Sequence, residues 1–101
     1  MEIVNAISKV RWASTGPQHI HLVRGNSLRV ELLCMEAGQK SLPATGPCAY
    51  YVVAGSAELA AGGKPHPLPA GQLAELGPGE GHTVANAGPG RLICLMIRAA
   101  E

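Results

Sequence analysis

Apolar and polar side chains alternate with a period of two along several short stretches, and that period belongs to strands, whose successive residues point to opposite faces. From Leu28 to Met35, the residues Leu28, Val30, Leu32 and Cys34 share one face while Arg29 and Glu31 mark the other, so the first set is expected to face a core. Cys48 to Ala54 is apolar on both faces, with Cys48, Tyr50, Val52 and Ala54 on one and Ala49, Tyr51 and Val53 on the other. Leu92, Cys94 and Met96 alternate with Ile93, Leu95 and Ile97 in the same way. Strands of that kind need cover on both sides. Glycine- and proline-bearing turn signals, among them Gly25-Asn26, Thr45-Gly46-Pro47, Gly77-Pro78-Gly79 and Gly88-Pro89-Gly90, separate these stretches. Ala60-Ala61-Gly62-Gly63 has the composition of a hairpin loop. With no stretch long enough for a good helix, the pattern is that of an all-β sandwich or barrel.

Composition narrows the class. The 101 residues suit one domain, 1–101, because two separate cores of half that size would each be too small to stand alone. Within it, residues 1–24 are expected to supply amino-terminal strands and 28–98 the main barrel. Hydrophobic residues make up 47% of the chain and charged ones 15%, which excludes disorder. The apolar run Leu92–Ile97 is far short of the ~20 residues that span a bilayer, and no secretory signal opens the chain. A cytoplasmic protein without membrane contact is expected. Net charge is +1, and Arg11, Arg24, Arg29, Arg91 and Arg98 are scattered along the sequence, which argues against a nucleic-acid partner. Cys34, Cys48 and Cys94 make neither an even set nor a C-x-x-C pair, and are read as small buried hydrophobes. Asp is absent, so every candidate side-chain carboxylate is a Glu.

From Gly71 the chain runs GQLAELGPGEGHTVAN, which resembles the second motif of the cupin family: glycine, five residues, Pro-x-Gly, two residues, His, three residues, Asn. Gly71, Gly79, His82 and Asn86 fall on it; Gly77 stands in the proline position, with Pro78 beside it. Upstream, MEAGQKSLPATGPCAYYVVAGSAEL is similar to the region of the first motif, with Gly55 closing its strand. The resemblance covers Leu28 to Arg98 and implies a cupin-type double-stranded β-helix, or jelly-roll barrel. In that family the first motif carries His-x-His and Glu, which bind a divalent metal together with the histidine of the second. Counting back from Gly55, the Glu position falls on Cys48, and the two His positions fall on Leu42 and Ala44 or on Ser41 and Pro43. No His, Asp or Glu stands between Glu36 and Glu58 in any register. His82 and Cys48 give two ligands where a catalytic zinc or iron site takes about three from the protein, so no metal and no cofactor are expected.

The resemblance places His82 toward the barrel cavity, where a neutral imidazole can exchange a proton near pH 7; the competing reading is a structural histidine in the wall. Cys48 is a candidate ligand or nucleophile at the vacant Glu position, or simply a small core residue. Tyr50 shares its face and offers a hydroxyl, while Tyr51 should point outward. His19 and His21, spaced i and i+2, would put both rings on one face of a strand that nothing in the sequence ties to the cavity. His66 lies in a proline-rich connection, and Glu36, Glu58 and Glu75 form no demonstrable pair.

Two functions compete. One is a metal-independent module that holds a small organic ligand in a cavity lined by Val30 and Leu32, by Tyr50 and Val52, and by Leu76, Val84 and Met96, with His82, Cys48, Tyr50 and Met96 as its contacts. The other is an isomerase- or dioxygenase-like cupin enzyme using His82, with or without a metal; a third possibility is a scaffold with no ligand. The absent ligand triad favours the first. A homodimer is expected as well, because Tyr51, Val53, Ile93, Leu95 and Ile97 would otherwise leave a contiguous apolar patch in water; cover by an amino-terminal strand, Glu2 to Ala13, is the rival.

Overall fold

The computed structural model describes residues 1–100; Glu101, the last residue of the expected domain, lies outside them. Nine strands follow in chain order: β1 (Gln18–Arg24), β2 (Leu28–Met35), β3 (Ala44–Thr45), β4 (Cys48–Ala54), β5 (Ser56–Ala61), β6 (Lys64–Pro69), β7 (Leu73–Leu76), β8 (Gly81–Asn86) and β9 (Leu92–Ala99). They form a five-stranded sheet, in the order β1-β2-β9-β4-β7, and a four-stranded one, β3-β8-β5-β6, with antiparallel pairing throughout. This is the jelly-roll barrel. Each sheet has an apolar inner face, and packing the two together removes both from water.

Local chemistry sets the corners. The β5–β6 hairpin turns on Gly62 and Gly63, both at positive φ (62° and 75°), so the strands run through Ala61 and the loop is the glycine pair alone. Gly55, at φ 88°, lets β4 pass into β5 against the chain entering β9: a Cβ there would meet the Arg91 carbonyl oxygen at 2.5 Å. Asn86 ends β8 with a side chain fully used: its amide donates to the carbonyls of Met35 (3.1 Å) and Gly90 (2.7 Å), and its oxygen accepts from the Gly88 N–H (3.0 Å).

The core is double. Inside the barrel lie Leu33 and Met35 of β2, Cys48, Tyr50 and Val52 of β4, and Leu92, Cys94 and Met96 of β9, closed by residues of the smaller sheet such as Leu59 and Val84. A second cluster sits on the outer face of the larger sheet, where Ile20, Leu32 and Cys34 pack with Ile93 and Leu95 beneath Val10 and Trp12. The expected inward face of β2 is therefore reversed. Leu32 and Cys34 are covered by the amino-terminal segment, whereas Leu33 and Met35 face the barrel and carry Arg29 and Glu31 on the same side. Both faces of the sheet are covered, so polarity marks where β2 leaves the barrel rather than which face is outside.

The amino-terminal segment is not a strand. It holds one 3-10 turn, Ile7–Lys9, before β1. Three contacts dock it: Val10 and Trp12 lie on the second cluster, the Gln39 side chain donates to the Ala13 carbonyl (2.7 Å), and the Arg91 guanidinium stacks 4.6 Å from the Trp12 ring centre. Arg91 also reaches the Glu36 carboxylate at 3.6 Å.

Candidate ligand site at the barrel mouth

Most of the barrel interior is filled. Val52, Leu76 and Val84, expected around a cavity, are fully buried in the barrel core, and Leu32 belongs to the outer cluster. Val30 pairs with Ile97 and shares the outward parity of Leu32. Of the seven residues expected to line one cavity, Tyr50 and Met96 share a cleft, while Leu76 borders a separate hollow with Leu59, Leu68 and Ala74. The cleft of Tyr50 and Met96 is half-enclosed, about 310 Å³ at the open end, and is bordered also by His19, Glu31, Leu33 and Arg98. The Ser41–Ala44 segment forms its other side, held by reciprocal bonds with β8: the Ser41 N–H donates to the Val84 carbonyl (2.8 Å), and the Val84 N–H to the Ser41 hydroxyl (2.9 Å).

Tyr50 joins Cys48 and His82 behind the cleft; neither of those two lines it, and His82 borders instead a more open hollow of about 580 Å³ between β3 and the β5–β6 hairpin. His82, 4% exposed, projects inward from β8 with Val84 and Asn86. Its Nδ1 lies 3.1 Å from the Glu80 carbonyl oxygen, which can only accept, so Nδ1 carries the proton. In the neutral imidazole Nε2 is then the lone pair, placed 2.8 Å from the Tyr50 hydroxyl, which can donate to it. The Cys48 sulfur is 3.8 Å from the same Nε2, and the Tyr50 and His82 rings meet edge to face with centres 5.3 Å apart. Glu80 sets the geometry: its carbonyl also accepts the Gly46 N–H (3.0 Å), and its carboxylate accepts the Gly77 N–H (3.0 Å) in the turn where the motif proline is missing.

Burial favours the neutral forms of the Cys48 thiol and the Tyr50 phenol. It raises the Cys48 thiol above its ordinary range, an effect that the Arg98 charge and the neighbouring Tyr50 hydroxyl only partly offset. The Tyr50 phenol is raised strongly, by burial and then by its Cys48 neighbour. A thiol that resists ionisation is a poor nucleophile, so the core reading of Cys48 has the better physical support.

A family-type metal does not fit this donor set. The lone pair on His82 that would face it is engaged by Tyr50, Cys48 is held as thiol, and directly across from His82 stands Ala44. Leu42, at the other candidate His position, is 84% exposed. Among the described residues no three His, Cys, Asp or Glu side chains are grouped so as to hold a metal ion.

The remaining candidates separate. Tyr51 points outward, and His66 is exposed with Nε2 3.3 Å from the Ala61 carbonyl. Glu58 and Glu75 are exposed on different strands. His19 and His21, by contrast, are tied to the mouth: each Nδ1 lies 3.4 Å from a different oxygen of Glu31, and His19 lines the cleft. Glu31 and Arg98 were not legible as site residues. The available signal was parity, since Arg98 lies two positions beyond the inward-facing Met96 and must share its face.

The fold has relatives. The model of the cupin domain family matches residues 31–98. Among solved structures, the protein TT1209 from Thermus thermophilus superposes with a TM-score of 0.90 at 20% identity, covering 98% of this chain and 97% of that one. A conserved protein with a double-stranded β-helix domain from Klebsiella pneumoniae gives 0.89 at 26% identity, with 96% and 83% covered. An RmlC-like cupin protein from Desulfovibrio desulfuricans gives 0.82 at 16%, with 97% and 96% covered. No curated protein matches the chain. The family match over 31–98, on a barrel whose second-motif histidine and asparagine stand in the inner wall, makes this chain a member of the cupin domain family.

Proposed function

We propose that this cupin is a metal-independent binding module that takes a small organic ligand in the cleft at the barrel mouth. The observation that carries the reading is the Tyr50–His82 pair beside a cleft of about 310 Å³, at the lower end of small-ligand pockets. Tyr50 spends its proton on His82 and keeps its oxygen lone pairs, so it can accept a hydrogen bond from a ligand, while Met96 and Leu33 offer apolar contact. Cys48 and His82 support Tyr50 from behind. An enzymatic role for His82 has weaker support: its Nε2 is occupied by Tyr50, and burial disfavours either neighbour as a base.

The test is mass spectrometry of small molecules released by denaturing untagged protein, compared with Ala44→Trp, which fills the cleft from the β3 side. A compound released from the native chain and lost from the folded variant is expected. Equal recovery from both, or none from either, overturns the reading.

A further inference from the structure

Three of the five arginines scattered through the sequence come together in the fold. Arg24 pairs directly with Arg29 across β1 and β2, and Arg29 pairs directly with Arg98 across β2 and β9. Cross-strand partners share a face and stand about 5 Å apart at the backbone. The face is the inner one, because Arg29 has the parity of Leu33 and Met35 and Arg98 that of Met96. Three guanidinium side chains thus form one row across three adjacent strands, at the end where the barrel opens.

Like charges directly opposite one another in a sheet are unfavourable, and this row contains two such pairs in succession. Among the described residues, none of the three arginines makes an ion pair with a carboxylate. The acid on this face of β2 is Glu31, and its two oxygens are turned toward His19 and His21. Arg98 directs its Nε to the Met96 sulfur at 3.3 Å, which leaves its terminal nitrogens unused by that bond. The row is also concave. Arg24 and Arg29 line a half-enclosed hollow of about 300 Å³ with His21 and Gly25, and Arg98 continues into the cleft that holds Tyr50.

We infer that the row Arg24–Arg29–Arg98 is an oxyanion site, and that the ligand of the mouth cleft is a small dianion whose phosphate or dicarboxylate end lies on the arginines while its organic end reaches Tyr50. Three guanidinium charges set against one Glu31 carboxylate leave a surplus of two, which a dianion matches. The planar fork of Arg favours oxyanions held by paired N–H bonds, and a phosphate monoester and a dicarboxylate share that chemistry. Arg98 joins the two halves, since its charge acts on both Cys48 and Tyr50. This inference rests on the ligand-binding reading of the cleft.

Calorimetric titration of the full chain at low ionic strength with inorganic phosphate, phenyl phosphate, succinate and phenol separates the possibilities. The expected result is saturable binding of phenyl phosphate, tighter than inorganic phosphate, weakened about tenfold in Arg29→Gln and in Arg24→Gln, and weakened by added salt. Stronger succinate than phosphate binding, with the same arginine dependence, would assign the dicarboxylate. In buffer without multivalent anions Arg29→Gln should melt at the same temperature as the native chain or higher, because it removes repulsion; a merely structural arginine would melt lower when lost. Phenol binding that ignores both arginines would overturn the anion site and leave the cleft reading standing. Phosphate binding that depends on the arginines but gains nothing from the phenyl group would keep the anion site and remove its link to the cleft. No saturable binding of any anion overturns the inference.

Discussion

Cys94 shows how a single buried side chain couples this fold to pH. It is completely buried inside the barrel, and burial pushes its thiol from 9.0 up to about 12. Cys34 and Cys48 are raised in the same direction, also by burial. The unfolded chain loses these protons first as pH rises, so it binds fewer protons than the folded chain above pH 9. The stability they contribute is complete below that pH and is lost progressively toward pH 12. Denaturant melts between about pH 8 and about pH 10.5 should show unfolding free energy falling with pH. Cys94→Ala should be less stable throughout yet show a shallower fall, by up to about 1.4 kcal/mol per pH unit for the one group removed. An unchanged slope would mean that Cys94 ionises freely in the folded protein.

Between the residue and the molecule, the element that changes the picture is the amino-terminal segment. Its regular structure is one 3-10 turn, yet it covers the outer face of β2 and β9 through Val10 and Trp12. Leu95 is therefore held beneath this segment instead of standing open to a second subunit. Leu95→Glu should destabilise the monomer itself, because a carboxylate would be forced into an apolar cluster without a partner. Trp12→Ala should cost about 2–4 kcal/mol, read from denaturant midpoints, through lost packing with Ile20 and Leu32 and the lost stack with Arg91. A loss under about 0.5 kcal/mol would show that the segment does not dock in solution.

At the scale of the whole molecule, the cover supplied by that segment stops short. Tyr51 and Leu73 pair across β4 and β7, and both remain exposed, Tyr51 by 37% and Leu73 by 63%. Ala49 and Ile97 pair beside them across β4 and β9. This apolar strip on the outer face of the larger sheet is where we propose that a homodimer forms, in place of the broader patch centred on Leu95. Sedimentation equilibrium at micromolar concentration should give twice the chain mass for the native protein and a folded monomer for Tyr51→Glu. A native monomer removes the dimer. No helix among the described residues is long and apolar enough to cross a membrane.

The period-two pattern, the turn glycines and the second cupin motif were enough to determine an all-β barrel, and parity along β4 was enough to put Cys48 and Tyr50 on one face and to separate Tyr50 from Tyr51, because that parity follows from neighbours along one strand. The polarity of Arg29 and Glu31 pointed to the wrong inward face of β2, since the strand is covered on both sides and those two residues sit on its inward face where it leaves the barrel. The filling of the barrel interior around Val52, Leu76 and Val84 followed from volumes brought together by both sheets. The arginine row lies further still from the linear chain. Arg24 and Arg29 sit at the two ends of a tight hairpin, but Arg98 joins them only because β9 pairs with β2 in a register that sets residue 98 against residue 29. Alternation along a strand is local, whereas adjacency across strands depends on the order and register of the whole sheet, and only the tertiary structure decided it.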